Sequence, residues 1–316
     1  MTIERARIEA HFKPWGVDGI LPWSTLGGRV GELCFERADA AQQSQLQLKL
    51  LFTNQPLSIH VHPGDEQATE AGFVRGKTEA WLVLSASANA KVGVGLVRTC
   101  SEREVRAAAE QGALVALIDW RSAFAGDVIN VPAGTIHAIG EGLVIAEIQQ
   151  RSDLTYHLYD YDRDRQLDID QALAVANLGA VQVRVRFGRL SDQRQLLSTT
   201  PYFCFEQITL APGSRWRIET PCETWVLCID GKADIAEHLV ARGEAVFLER
   251  EHGSVQAGPE GAKLLAAYAQ PNVLPYLLQR AVSDQPDGPF TPSGHSLLGK
   301  TLQRAVNQTA ERPADR

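Results

Sequence analysis

The stretch Leu57 to Glu66, LSIHVHPGDE, sets two histidines one residue apart in an apolar frame, followed by a proline and two acids. Side chains at i and i+2 of an extended strand share a face, so His60 and His62 point one way and Ile59 and Val61 the other. Two imidazoles placed side by side can begin a divalent-metal site. A third histidine lies in GDVINVPAGTIHAIG, from Gly126 to Gly140. Gly126 and Asp127 suit a turn, VINV a strand, and Pro132 with Gly134 a second tight turn that delivers His137 at the start of the next strand. Two acids compete as a fourth ligand. Glu66 is near in sequence but follows Pro63 and Gly64 in a turn-like segment, PGDEQA, which directs its side chain to solvent or starts a short helix. Glu79 opens the strand-like EAWLVL and is expected to pair beside the histidine strand.

These residues need a scaffold of strands. Short β-rich runs bounded by Gly, Pro, Asn and Asp cover Leu46 to Phe52, Leu57 to Val61, Glu79 to Leu84, Lys91 to Leu96, Asp127 to Val131 and Leu143 to Gln149, which predicts a β-sandwich or barrel. Ser101 to Gly112 reads as a helix that opens on a capping box, Ser101 with Glu104. LDIDQALAVANL, Leu167 to Leu178, has helical spacing and reads as a connector. A second β-rich block follows over Tyr202 to Val273, in which His238 and His252 are isolated. From Ser283 onward the chain is rich in Pro, Gly, Gln and charge, and a loosely ordered tail is expected.

Composition excludes several function classes. The 316 residues are 44% hydrophobic and 22% charged with a net charge of −7, which disfavours a nucleic-acid surface but leaves room for local cations to hold one phosphate. The N-terminal MTIERARIEAHF lacks the apolar run of a secretory signal, and no apolar segment nears the roughly 20 residues that span a bilayer. A cytoplasmic protein without a membrane partner is expected. Its five cysteines are scattered and form no CxxC pair, as for reduced thiols.

The spacing G-x5-P-x-G-x2-H that ends at His137 resembles the second motif of the cupins, small β-barrels that set an HxH pair, a Glu and a later His around one metal. More specifically, LSIHVHPGDEQA, GKTEAWLVL, VPAGTIHAIGEG and IAEIQQRSDLTYHLYDYDR, in that order, resemble four motifs of the type I phosphomannose isomerases in their short bacterial form. KPWG at Lys13 to Gly16 and the pair Gly31, Glu32 also look like that family, so the similarity runs through the first 165 residues. The resemblance implies a mainly β fold of two cupin or jelly-roll-like β-sandwich domains with a few short helices. It divides the chain into a metal-binding catalytic domain over 1–165, a helical connector over 166–195, a degenerate second cupin-like domain over 196–280 and the tail over 281–316. The implied metal ligands are His60, His62, Glu79 and His137, with Glu66 outside the set; the family usually carries Gln where His60 stands. Zinc is the implied cofactor, and three imidazoles with one carboxylate also suit other divalent metals.

What the resemblance implies for activity is the interconversion of mannose 6-phosphate and fructose 6-phosphate through a cis-enediol, by a monomer or homodimer. Glu147, in AEIQQ, takes the place of a pocket carboxylate and is the expected base. Lys77, in GKTE, is the expected electrostatic partner of the enediolate. SDLTYHLYD departs from the family, which has Arg where His157 stands, and His is a weaker, pH-dependent phosphate contact. Arg151 and Arg163 flank that segment as compensating substrate contacts, with Ser58 and Lys49 as weaker ones. His157 also keeps two other readings open: an isomerase of a different sugar or sugar phosphate, and a sugar-phosphate-binding regulatory protein without catalysis. A cupin oxygenase is a more distant reading that GKTE and EIQQ do not favour.

Overall fold

The computed structural model describes residues 2–181 and 188–281; the expected tail, apart from residue 281, lies outside the described residues. The chain is mainly β, with strands paired antiparallel in three sheets and three α-helices, Asp65–Glu70, Glu102–Glu110 and Ile169–Val175, among the described residues. One six-stranded sheet runs in the order Arg7–Asp18, Arg29–Glu36, Leu46–Thr53, Leu143–Gln150, Glu79–Ala86, Val128–Val131. A five-stranded sheet has the order Tyr156–Tyr159, Ile59–Val61, His137–Ile139, Lys91–Leu96, Ile118–Ser122. The third, ten-stranded sheet gathers the second β-rich block and takes Thr2–Arg5 as an edge strand beside Ala245–Glu249.

The layers follow from what each sheet face buries. Ile59, Val61 and Ala138 lie under Val105, Ala109 and Leu173, so two helices cover the outer face of the five-stranded sheet. The inner face of that sheet packs through Val92, Val94 and Ile139 on Leu51, Trp81, Val83 and Ile145 of the six-stranded sheet. On the opposite face of the six-stranded sheet, Leu46, Leu48, Leu50, Ala146 and Ile148 join Phe205, Trp225 and Phe247 of the second block in one shared core. A sheet covered on both sides cannot show a polar and an apolar face in its sequence. LQLKLLFT and LVIAEIQQ accordingly lack clean alternation, and nearly all their residues are buried. Four polar residues there, Gln47, Lys49, Glu147 and Gln149, alternate with core residues such as Leu48, Leu50, Ala146 and Ile148 and so share the face turned to the histidines.

The expected strands of the first block form close to their expected bounds, and the Glu102–Glu110 helix carries both hydrogen bonds of its capping box. Charged alternation in RIEAHFKPWGVD hides the first strands, which were not expected. One expectation is corrected. Glu79 does not pair beside the histidine strand; its neighbours are Gln149 and Val131 in the six-stranded sheet, and it meets the histidines across the sandwich. No described helix is long and apolar enough to cross a membrane.

Glu223 fastens the second block to the first. Its carboxylate accepts the backbone N–H groups of Gln45 at 2.5 Å and Leu46 at 2.8 Å, and the Trp225 indole N–H at 3.3 Å. Burial pushes its pKa up while those donors pull it back. Glu223→Ala strips the buried Leu46 N–H of its acceptor and is expected to lower stability by about 2–3 kcal/mol in urea unfolding, with Glu223→Gln, which keeps one acceptor, losing less.

Candidate metal centre and active site

Strand register puts three histidines in one row. His60 is the Cα partner of His137 on one side and of His157 on the other, and all lie on the five-stranded sheet. His62 stands two residues along the same face, with ring centroids 4.9 Å from both His60 and His137; those two are 4.3 Å apart. Side chains at directly opposed positions of an antiparallel pair are close enough for both to reach one ion. The ring nitrogens of His60, His62 and His137 can converge within 4.8 Å.

Hydrogen bonds fix which nitrogen each ring offers. Nδ1 of His60 donates to the Ser58 carbonyl at 2.8 Å, Nδ1 of His137 to the Thr135 carbonyl at 2.8 Å and Nδ1 of His62 to the Leu154 carbonyl at 3.1 Å. A carbonyl only accepts, so each neutral ring carries its proton on Nδ1 and presents a lone pair on Nε2. Opposite them, Glu79 Oε1 lies 3.2 Å from His137 Nε2, and Glu79 Oε2 lies 3.5 Å from His62 Nε2. His137 Nε2 and Glu79 Oε2 are buried and have no hydrogen-bond partner. Two lone pairs facing at 3.2 Å require positive charge between them, and the spacing is close to the roughly 3.4 Å edge of a tetrahedron with metal bonds of about 2.0–2.1 Å. The residues therefore fit a divalent ion. Lys77 Nζ supplies charge nearby, 3.0 Å from His62 Nε2 and 3.2 Å from Glu79 Oε2.

On the same wall, Trp81 donates its indole N–H to both Glu79 Oε1, at 3.1 Å, and Glu147 Oε2, at 3.0 Å. Lys49 Nζ lies 4.0 Å from Glu147 Oε1. Burial, and then the charge of Glu79, pushes the Glu147 carboxyl up to about 7. Burial also opposes the charge on Glu79, but the Lys77 ammonium beside it holds it well below the usual carboxylate range. Two neighbouring carboxyls whose proton affinities are driven apart suit an ion ligand and a proton carrier. These groups line one cavity of about 440 Å³. A larger one, about 530 Å³, is lined by Ile20, Trp23, Ile229 and Arg242 and holds none of the candidate ligands. His11, Glu32 and Cys34 also cluster, but Lys13 sits 3.8 Å from Glu32 and burial pushes the Cys34 thiol up to about 12, so that group is a poor metal site.

No family model matches the chain. It is 38% identical over 195 residues to the mannose-6-phosphate isomerase of Streptococcus mutans, covering 56% of this chain and 59% of that protein. It is 37% identical over 166 residues to the mannose-6-phosphate isomerase ManA of Bacillus subtilis, covering 49% of this chain and 51% of that protein. The chain thus spans little more than half the length of these curated relatives. The crystal structure of the mannose 6-phosphate isomerase from Bacillus subtilis matches over 85% of this chain and all of its own, with a TM-score of 0.73 at 21% identity. The chain has the phosphomannose isomerase fold.

Within that fold the structure gathers His60, His62, Glu79, His137, Lys77, Glu147, Ser58 and His157 around one cavity. Glu66 sits exposed in the first turn of the Asp65–Glu70 helix. Neither Arg151 nor Arg163 lines the cavity. Arg151 is committed to Ser44 at 2.8 Å and Glu36 at 2.5 Å, and Arg163 to Asp160 at 2.9 Å and the Pro56 carbonyl at 2.5 Å. Arg165, Trp81 and Thr155 line it instead and were missed in the sequence. Trp81 had a readable signal, since it stands two residues after Glu79 on the same strand face.

Burial and then the Lys77 charge push His62 down to about 3, and burial with the neighbouring imidazoles holds His60 well below its ordinary 6.5. The unfolded chain therefore binds those protons first, and stability is lost as pH falls below 6.5. Glu147 acts in the opposite sense between about 7 and its ordinary 4.5, so three imidazoles, His157 being lowered by burial and then by Arg165, are set against one carboxyl. Metal-free protein is expected to lose stability as pH falls from 6.5 to 5 in urea titrations, and His62→Gln to lessen that loss. Parallel profiles for the two proteins would show that the site does not control acid sensitivity.

Proposed function

We propose that the chain is a metal-dependent aldose–ketose isomerase that interconverts mannose 6-phosphate and fructose 6-phosphate through a cis-enediol. The observation that carries this reading is Glu147, a buried carboxyl poised near neutrality and joined by one indole N–H to the carboxylate that faces the Nε2 lone pairs of His137 and His62. The names of the curated relatives support the choice of substrate. The reaction moves a proton between C1 and C2, so it needs a base of near-neutral pKa and positive charge at the oxygen that becomes an enediolate. No redox cofactor is required, because substrate and product have the same formula.

His60, His62, Glu79 and His137 would hold a divalent ion, zinc first, which when bound supplies Lewis-acid polarisation of the carbonyl. Ionised Glu147 takes the proton from C2 and returns it to C1. The Lys77 ammonium gives a proton to the C1 oxygen as the C2–H bond breaks and recovers one from the C2 hydroxyl as that carbon becomes the carbonyl, so no net proton is gained or lost. His157 and Ser58 contact the sugar at the opposite side of the cavity. This reading places the protein in the cytoplasm, as a monomer or homodimer that acts on a small sugar phosphate.

A coupled assay for fructose 6-phosphate on metal-loaded protein is expected to show turnover that falls as pH drops through about 7, because only the ionised carboxylate accepts the proton. Glu147→Gln is expected to lower kcat by roughly 10²- to 10⁴-fold with metal content unchanged. Wild-type protein that turns over free mannose alone, or that is stabilised by mannose 6-phosphate without forming product, would overturn the reading.

A further inference from the structure

We propose that Arg165 receives the anionic group of the substrate at the cavity mouth, with His157 as its hydrogen-bond partner inside the cavity. This rests on the sugar-phosphate reading above. Four cationic side chains line the cavity, Lys13, Lys49, Lys77 and Arg165. Each lysine faces a carboxylate of the wall: Lys13 lies 3.8 Å from Glu32, Lys49 4.0 Å from Glu147 and Lys77 3.2 Å from Glu79. Arg165 differs. Its Nε donates to Asp160 Oδ2 at 2.7 Å, but Asp160 Oδ1 already accepts from Arg163 at 2.9 Å. One carboxylate is thus shared by two guanidiniums, which leaves a positive charge in excess.

Arg163 is turned away to the Pro56 carbonyl, so the excess charge that reaches the cavity belongs to Arg165. A second N–H of Arg165, on Nη1, is used on His157 Nε2 at 3.2 Å. A guanidinium has five N–H donors, and the remaining three make no hydrogen bond among the described residues. Three free donors on a planar fork match a phosphate monoester, which accepts in bidentate fashion. The side chain is 45% exposed, so it adds little to the fold and is open to a ligand.

The same contact sets the state of His157. A guanidinium only donates, so Nε2 of His157 is the acceptor and its proton sits on Nδ1, which donates to Ser58 Oγ at 3.0 Å. The neighbouring His60 Nδ1–H goes to the Ser58 carbonyl, so the Ser58 hydroxyl receives from His157 and keeps its own proton to give to a bound sugar. Arg165 therefore supplies the charge that a histidine at position 157 does not, and His157 carries the hydrogen-bond chain inward to the metal ligands.

The test compares wild type with Arg165→Gln and Arg165→Lys, reading kcat and KM for mannose 6-phosphate and, separately, protection against thermal unfolding by inorganic phosphate. Arg165→Gln is expected to raise KM roughly 10- to 100-fold with kcat within a few-fold and to abolish phosphate protection, while Arg165→Lys restores part of both. Unchanged KM and phosphate protection in Arg165→Gln, or a loss in kcat alone, would overturn the proposal. Wild type that binds phosphate through Arg165 yet turns over no mannose 6-phosphate would sink the isomerase reading and leave the anion site standing.

Discussion

A buried carboxylate that faces imidazole lone pairs at 3.2 Å is the constraint on which the structure turns. Left uncompensated, such a contact is repulsive, and the imidazole nitrogen lies buried without a hydrogen-bond partner, as does the other oxygen of the carboxylate. Each donor is nevertheless fixed from behind. A backbone carbonyl pins each histidine through Nδ1, and the Trp81 indole pins Glu79. The two sheets must hold these groups at a separation that favours a cation, and their apolar packing must withstand the repulsion when none is there. Leu51, Val83, Val92, Ile139 and Ile145, packed between the sheets beside the cavity, provide that resistance.

Placing the histidine and carboxylate cluster between sheets, and burying the six-stranded sheet on both faces, has an electrostatic consequence. The charges of the inner wall, Lys49, Glu79 and Glu147, stand on a sheet whose other face is the core shared with the second block. Water cannot approach them from behind, so each feels its neighbours at low effective dielectric. Glu79 and Glu147 face the same burial, and what separates their proton affinities is the company each keeps. Glu79 has Lys77 at 3.2 Å, whereas Glu147 has the negative Glu79 beside it, only partly offset by Lys77 and then by Lys49 at 4.0 Å. The second block thus bears on the site without contributing a residue to it, by shutting solvent out of the sheet that carries the carboxylates.

The legible part of the site was local. His60 and His62 share a face through the two-residue repeat of a strand, and Pro132 with Gly134 announces the turn that presents His137, which is why both were readable from short windows. What the sequence concealed depends on pairing between distant segments. The placing of Glu79 on the opposite sheet is set by its neighbours Gln149 and Val131, about which the local run EAWLVL carries no information. The row of His157, His60 and His137 likewise exists only through register. Arg163 and Arg165 are alike in sequence, and Asp160 with the Pro56 carbonyl decides which of them faces the cavity. The strand Thr2–Arg5 was hidden for the same reason, since its partner lies at the far end of the chain.

His62 shows how the charge at this centre must be exchanged. Its Nε2 lone pair is directed at Lys77 Nζ at 3.0 Å, and its Nδ1 is held by the Leu154 carbonyl, so the ring has one acceptor site to offer. A lone pair serves one partner at a time, so an ion bound there and the ammonium exclude each other at that atom. Since burial makes an unpaired Glu79 costly, the ammonium fits the state in which the lone pairs have no other cation. Releasing it costs little once another positive charge neutralises the carboxylate. The two-residue spacing of Lys77 and Glu79 is what puts both within reach of His62 and ties the charge of the one to that of the other.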